Sequence, residues 1–163
     1  HDGAIALASE VGEGTTIEVL LPIVEGEVPE HPDRAESMAT GTERVLFVDD
    51  EASLTDMADQ MLTRLGYDVV AMTNSLEALE LFKADPDRFD LVITDVTMPE
   101  MAGDRFAQEL LKIRPDIPII VCTGHSARID EMRCKELGIK VYIMKPLRMK
   151  VIAQKIREVL DKE

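Results

Sequence analysis

From Arg44 onward, short apolar runs alternate with helical patterns five times, and no other feature of the chain constrains its fold as tightly. The runs Val45 to Val48, Val69 to Met72, Leu91 to Thr94, Ile119 to Cys122 and Val141 to Met144 are short and rich in β-branched residues, which reads as strands buried on both faces. Between them, Leu54, Met57, Ala58, Met61, Leu62 and Leu65 keep the spacing of one buried helix face, and Gly66 closes that helix. Ser75 is expected to cap the next helix, whose buried face is Ala78, Leu79 and Phe82. Phe106, Leu110 and Ile113 mark a third helix, ended by Pro115. Ser126 opens a fourth with a thin apolar stripe of Ile129, Cys134 and Leu137 before Gly138, so it should pack more loosely than its neighbours. Met149, Ile152, Ile156 and Leu160 define the last.

Parallel strands joined through helices require right-handed crossovers that cover both faces of the sheet. The pattern therefore predicts an α/β, doubly wound, flavodoxin-like domain with a five-stranded parallel sheet in the order 2-1-3-4-5. Such sheets keep their ligands at the C-terminal edge of the strands. At that edge the chain places Asp49-Asp50-Glu51, Asp95, Thr123 and Lys145-Pro146, and Pro99 prevents the third strand from running on past Asp95. Each aspartate taken alone is accounted for by helix capping, but all of them at one edge are not. Packed carboxylates repel, so a divalent cation is the natural compensation, and hard oxygen donors select Mg²⁺ or Mn²⁺. A lysine ammonium and a threonine hydroxyl then supply donors suited to phosphoryl oxygens, and an aspartate beside a metal is a competent acceptor nucleophile.

Composition narrows the partners. At 163 residues there is room for one full domain and little more, and a formal charge of −14 argues against binding a phosphate backbone, so nucleic acid is not expected as a partner. Residues 1 to 42 carry nine acidic side chains against Arg34 alone, a net of −8, which leaves −6 for the remainder. Cys122 and Cys134 lie inside apolar patterns and are expected to be reduced, buried thiols. No apolar run approaches the length of a membrane span and no signal peptide opens the chain, so a cytoplasmic setting without direct membrane contact is expected. Ile5 and Leu7, a turn at Gly12-Glu13-Gly14, and the alternation from Thr15 to Leu21 predict a β-hairpin. Residues 25 to 42, rich in Glu and Pro without periodicity, read as a flexible acidic linker.

Asp49-Asp50, Asp95, Thr123 and Lys145-Pro146, in order on five βα units, resemble the receiver domain of bacterial two-component response regulators over residues 43 to 163. The resemblance implies that Asp95 accepts a phosphoryl group from a phosphohistidine on a kinase dimerisation domain or a histidine phosphotransfer protein. It implies a metal set of Asp49, Asp50, Asp95 and the backbone carbonyl of Thr97, with Thr123 and Lys145 holding phosphoryl oxygens. It further implies a cis Lys145–Pro146 bond and a switch made by Thr123 and Tyr142, read out on the surface of the fourth helix, fifth strand and fifth helix. Tyr142 also suits a purely packing role, and His125 either tunes hydrolysis or is a solvated loop residue. His1 and His31 have no helical context that would make them phosphodonors.

The first two dozen residues, His1 to Glu10 and Gly12 to Pro22, resemble the closing strands of the ATP-binding domain of sensor histidine kinases. Residues 1 to 24 are thus expected to be a remnant of that domain, without its nucleotide-binding residues, and the receiver to be C-terminal in a hybrid kinase. That fragment would be a phosphoacceptor with at most self-phosphotransfer and autodephosphorylation, and a homodimer is compatible with it. Two alternatives compete. Aspartyl-phosphate phosphatases of the haloacid-dehalogenase class also carry a nucleophilic strand-end Asp, but resemble Asp-x-Asp where this chain reads Asp95-Val96-Thr97. A degenerate receiver used only for docking would have lost acidic, hydroxyl or lysine positions, and here all are filled.

Overall fold

The computed structural model describes residues 3–23, 38–124, 139 and 141–161. The expected helix over 126–137, with Cys134, and the residues His1, His31 and His125 lie outside the described residues, as does most of the stretch read as linker. The chain divides into two compact units, residues 1–36 and 37–163.

In the first unit, strands β1 (Ala4–Glu10) and β2 (Gly14–Leu20) pair antiparallel, with Ile5 opposite Val19 and Leu7 opposite Ile17. Gly12 and Gly14 make the turn at φ 90° and 111°, a region where a side chain would be strained. This is the expected hairpin. Ile5, Leu7, Ile17 and Val19 fall on one face by the register and are all exposed.

The second unit carries the alternation predicted from the apolar runs: β3 (Arg44–Val48), α1 (Ala52–Arg64), β4 (Asp68–Met72), α2 (Ser75–Ala84), β5 (Leu91–Asp95), α3 (Gly103–Ile113), β6 (Ile119–Thr123), β7 (Val141–Met144) and α4 (Met149–Leu160). The five strands form one parallel sheet in the order β4-β3-β5-β6-β7, which is the expected flavodoxin-like order. Alternate strand residues face opposite sides. Val45, Phe47, Ile93, Ile120 and Ile143 pack with Ala58 and Leu62 of α1 and Ile152 and Ile156 of α4. Leu46, Val48, Val92, Ile119 and Val121 pack with Phe82 of α2 and Phe106 and Leu110 of α3. Each such side chain removed from water contributes about 1.5–3 kcal/mol, so two full layers hold the central strands rigid and fix the positions of their ends.

Local signals explain the boundaries, with two departures from the sequence reading. Gly66, at φ 99°, ends α1: its N–H donates to the Thr63 carbonyl at 2.9 Å and the Tyr67 N–H to the Leu62 carbonyl at 3.2 Å, a Schellman closure. Helix α2 is capped by Asn74 and not by Ser75. The Asn74 Oδ1 accepts from the Leu76 and Glu77 amides at 2.9 and 3.0 Å, and Ser75 is the first helical residue. The inner face of α1 is centred on Thr55, Ala58 and Leu62, while Met57 is 37% exposed. At the opposite edge from the site, Asp90 joins β3 to β5. Its carboxylate takes Arg44 Nε and Nη2 at 3.1 and 2.9 Å, and the Arg44 amide at 2.8 Å. Residues 38–43 already belong to this unit: Ala39 packs on the core and Glu43 pairs with Arg157 at 2.6 Å.

Candidate functional site

The C-terminal ends of β3, β5 and β6, with the residue that follows β7, assemble the site. Register places Asp95 opposite Cys122, so Thr123 lies one residue further along the neighbouring strand, and Thr123 in turn stands opposite Met144, next to Lys145. The Lys145 amide donates to the Thr123 carbonyl at 2.8 Å, which extends the ladder one step and fixes where the lysine side chain starts. The Lys145–Pro146 bond is cis.

From that start the ammonium reaches across the sheet edge. Lys145 Nζ lies 2.7 Å from Asp49 Oδ2 and 2.6 Å from Asp95 Oδ1. Both carboxylates are buried, at 1% and 7% side-chain exposure, so this single cation is shared between two desolvated anions. Burial pushes the Asp49 carboxyl above its ordinary range even though Lys145 and the Glu51 amide oppose it. Burial pulls the Lys145 ammonium the other way, but its bonds to Asp49 and Asp95 win and hold it above the usual lysine range. The remaining carboxylate oxygens are also engaged: Asp49 Oδ1 accepts the Glu51 amide at 3.1 Å and Asp95 Oδ2 the Thr97 amide at 2.8 Å.

Of the seven residues expected at the site, three meet through their side chains, Asp49, Asp95 and Lys145. Thr123 is buried beside them, and Thr97 touches Asp95 through its N–H. Asp50 follows Asp49 directly and is exposed. Tyr142 stands apart, 41% exposed on the edge strand β7. Among the described residues, no three acidic, histidine or cysteine side chains already close on one point as a metal cage. The donor chemistry nevertheless suits a hard cation. Two buried carboxylates share one ammonium, a third carboxylate follows in sequence, and all the groups offered are oxygens.

One residue of the site escaped the sequence reading. Gly103 opens α3, and its amide donates to the Val96 carbonyl at 2.8 Å. A Cβ there would overlap the carbonyl oxygen of Asp95 and lie 2.9 Å from its carbonyl carbon. Helix α3 therefore rests on the backbone of Asp95 itself. A glycine at the first helical position, where better helix formers are available, was the signal present in the sequence.

The fold is shared with known proteins. The family model for the response regulator receiver domain matches residues 45–157. The chemotaxis protein CheY of Thermotoga maritima is 35% identical over 117 residues, covering 71% of this chain and 96% of that protein. The probable transcriptional regulator ycf27 of Porphyridium aerugineum is 39% identical over 118 residues, and this chain spans about half of its length, 48%. The sensor kinase CckA of Brucella abortus is 31% identical over 170 residues, covering 99% of this chain and 18% of that protein. Among solved structures, a response regulator receiver domain protein from Clostridium thermocellum superposes with a TM-score of 0.70 at 27% identity, over 74% of this chain and 95% of that one. Two buried aspartates bridged by one lysine at the edge of a 2-1-3-4-5 sheet, within a matched segment that covers most of the chain, place it in a known family: it belongs to the response regulator receiver domains of two-component signalling.

Proposed function

We propose that this chain is the phosphoacceptor of a two-component phosphorelay, taking a phosphoryl group from a phosphohistidine onto Asp95. The observation that carries this reading is the Lys145 ammonium held between Asp49 and Asp95, at 2.7 and 2.6 Å. In the reaction a carboxylate oxygen of Asp95 forms a bond to phosphorus as the bond from phosphorus to the donor's imidazole nitrogen breaks. The bonding pair leaves with that nitrogen, which is protonated from solvent. Lys145 follows the negative charge onto the phosphoryl oxygens and the Thr123 hydroxyl provides a second donor. Asp49, Asp50, Asp95 and the Thr97 carbonyl are the groups that would hold Mg²⁺ or Mn²⁺. When bound, the cation neutralises charge on the transferring phosphoryl group.

The output on this reading runs from Thr123, drawn toward the phosphoryl group, to Tyr142, whose ring takes up the vacated space. For the first unit we propose a remnant of a histidine kinase ATP-binding domain over residues 1–24, followed by a linker that starts at 25 and ends where residues 38–42 pack with the receiver, within a cytoplasmic hybrid kinase. The hairpin's exposed apolar face supports this, because two strands alone cannot cover Ile5, Leu7, Ile17 and Val19. The similarity to a sensor kinase runs through the hairpin as well as the receiver. Intact-mass measurement after incubation with Mg²⁺ and a small phosphodonor should show one added phosphate, absent from Asp95→Asn. Equal labelling of that variant refutes the acceptor assignment.

A further inference from the structure

Of the residues that α1 buries, Thr55 is the polar one, and it touches none of the charged groups of the site. Its hydroxyl lies 2.8 Å from the Asp49 carbonyl and 3.1 Å from the Glu51 carbonyl. A threonine inside a helix ordinarily satisfies its hydroxyl on the carbonyl four residues back, which here is Glu51. The shorter contact reaches past the helix start to the residue that follows β3. One O–H is thus shared by the Asp49–Asp50 peptide, which enters Asp50, and the Glu51–Ala52 peptide that starts α1.

The rest of the turn is tied at Asp49. Its amide donates to the Met72 carbonyl at 3.1 Å, and its carboxylate is held by Lys145 and the Glu51 amide. Asp50 is exposed, and the backbone on either side of it sets where its Cα–Cβ bond points. We infer that Thr55 is a positioning residue for the acidic turn, pinning the Asp49–Asp50 peptide to the first turn of α1 so that Asp49 and Asp50 present their oxygens together to a divalent cation. This rests on the proposed reading of Asp49 and Asp50 as cation-holding groups. Thr55 itself contacts neither cation nor phosphoryl group. Without the hydroxyl, the Asp49 carbonyl loses a buried partner and the Asp49–Asp50 peptide is free to rotate.

The test compares Thr55→Val, which keeps the shape and removes the hydroxyl, with Thr55→Ser, which keeps the hydroxyl. In the metal-free protein, amide hydrogen exchange at Asp50 and Glu51 should quicken in Thr55→Val while the amides inside β3 stay protected. Mg²⁺ titration followed by NMR should show the dissociation constant rising about fivefold in Thr55→Val, the size of one lost hydrogen bond, and Thr55→Ser restoring it. A merely structural role would lower the melting temperature of both variants and leave the Mg²⁺ affinity unchanged. That result overturns the inference, as does an equal loss of affinity in both variants. If Thr55→Val does not fold, Thr55→Cys, a weak donor of serine's size, takes its place in both measurements. Failure of the wild-type protein to bind Mg²⁺ would instead count against the underlying reading, and the metal-free exchange measurement would still decide whether Thr55 pins the turn.

Discussion

Replacing Gly103 by alanine tests whether α3 is seated on the end of β5 as the structure shows. The new methyl group would overlap the Asp95 carbonyl oxygen, and would lie 2.9 Å from that carbonyl carbon and 3.1 Å from Val96 Cα. All three are backbone atoms at the end of β5 and the residue after it, so no rotamer change can make room. Either α3 withdraws, breaking the 2.8 Å bond from the Gly103 amide to the Val96 carbonyl, or the end of β5 shifts with Asp95 on it. Overpacking of this kind costs about 3 kcal/mol at the upper end of its usual range, which the lack of a flexible neighbour favours here. In a domain of this size that corresponds to a fall in melting temperature of about 10 °C. Gly124 supplies the control: it follows β6 at the same edge, and among the described residues a Cβ there meets nothing within 4 Å. Urea unfolding of Gly103→Ala and Gly124→Ala should therefore separate them, with Gly124→Ala within about 0.5 kcal/mol of the parent. Phosphoryl uptake should fall with Gly103→Ala only. Equal stabilities for the two variants would refute the seating argument.

Three further outcomes follow from named contacts. Lys145→Met leaves the Asp49 and Asp95 carboxylates buried without their shared cation. Breaking such a pair should lower the unfolding free energy by about 3 kcal/mol in metal-free buffer, measured by urea titration. The Asp90 carboxyl is held below its ordinary value, first by its side-chain bonds to Arg44. Its contribution to stability is therefore present above the unfolded value of 3.8 and lost as pH falls through the lower folded value, so Asp90→Asn should flatten the acid limb of the stability profile. Burial pushes the Cys122 thiol up to about 12. In a Cys134→Ser background, a thiol reagent at neutral pH should leave the folded protein unlabelled and label it fully in urea.

The three central strands were legible because a strand buried on both faces must be apolar throughout, and Leu91 to Thr94 or Ile119 to Cys122 admit little else, whereas β4 and β7, expected to be buried alike, lie at the sheet edges and are only partly covered. The ligand edge followed from topology, which brings strand ends together whatever the helices do. Helix faces were less legible. Hydropathy drew Leu54 and Met57 onto the inner face of α1, but the position nearest the end of β3 must meet backbone carbonyls, and a short side chain with a hydroxyl does that where a methionine cannot. Asn74 and Ser75 are both capping types, and only the backbone decides between them: Asn74 is extended at φ −123°, ψ 117°. Gly103 was hidden for another reason, since its neighbour is a carbonyl eight residues earlier in the chain and no local pattern records that approach.

That Lys145 bridges Asp49 and Asp95 could not be read from the sequence, and it bears directly on how the proposed reaction proceeds. A lysine ammonium has three donors, and here two of them are occupied by Asp49 Oδ2 and Asp95 Oδ1. An incoming phosphoryl oxygen can meet the third without disturbing either carboxylate. Once Asp95 is esterified it no longer carries the charge that holds Lys145 at 2.6 Å, so the second donor is released toward the phosphoryl group. Asp49 keeps its hold throughout, because its own oxygens take no part in the bond change. The same ammonium thus compensates two buried aspartates before transfer and the phosphoryl oxygens after it, pivoting about Asp49.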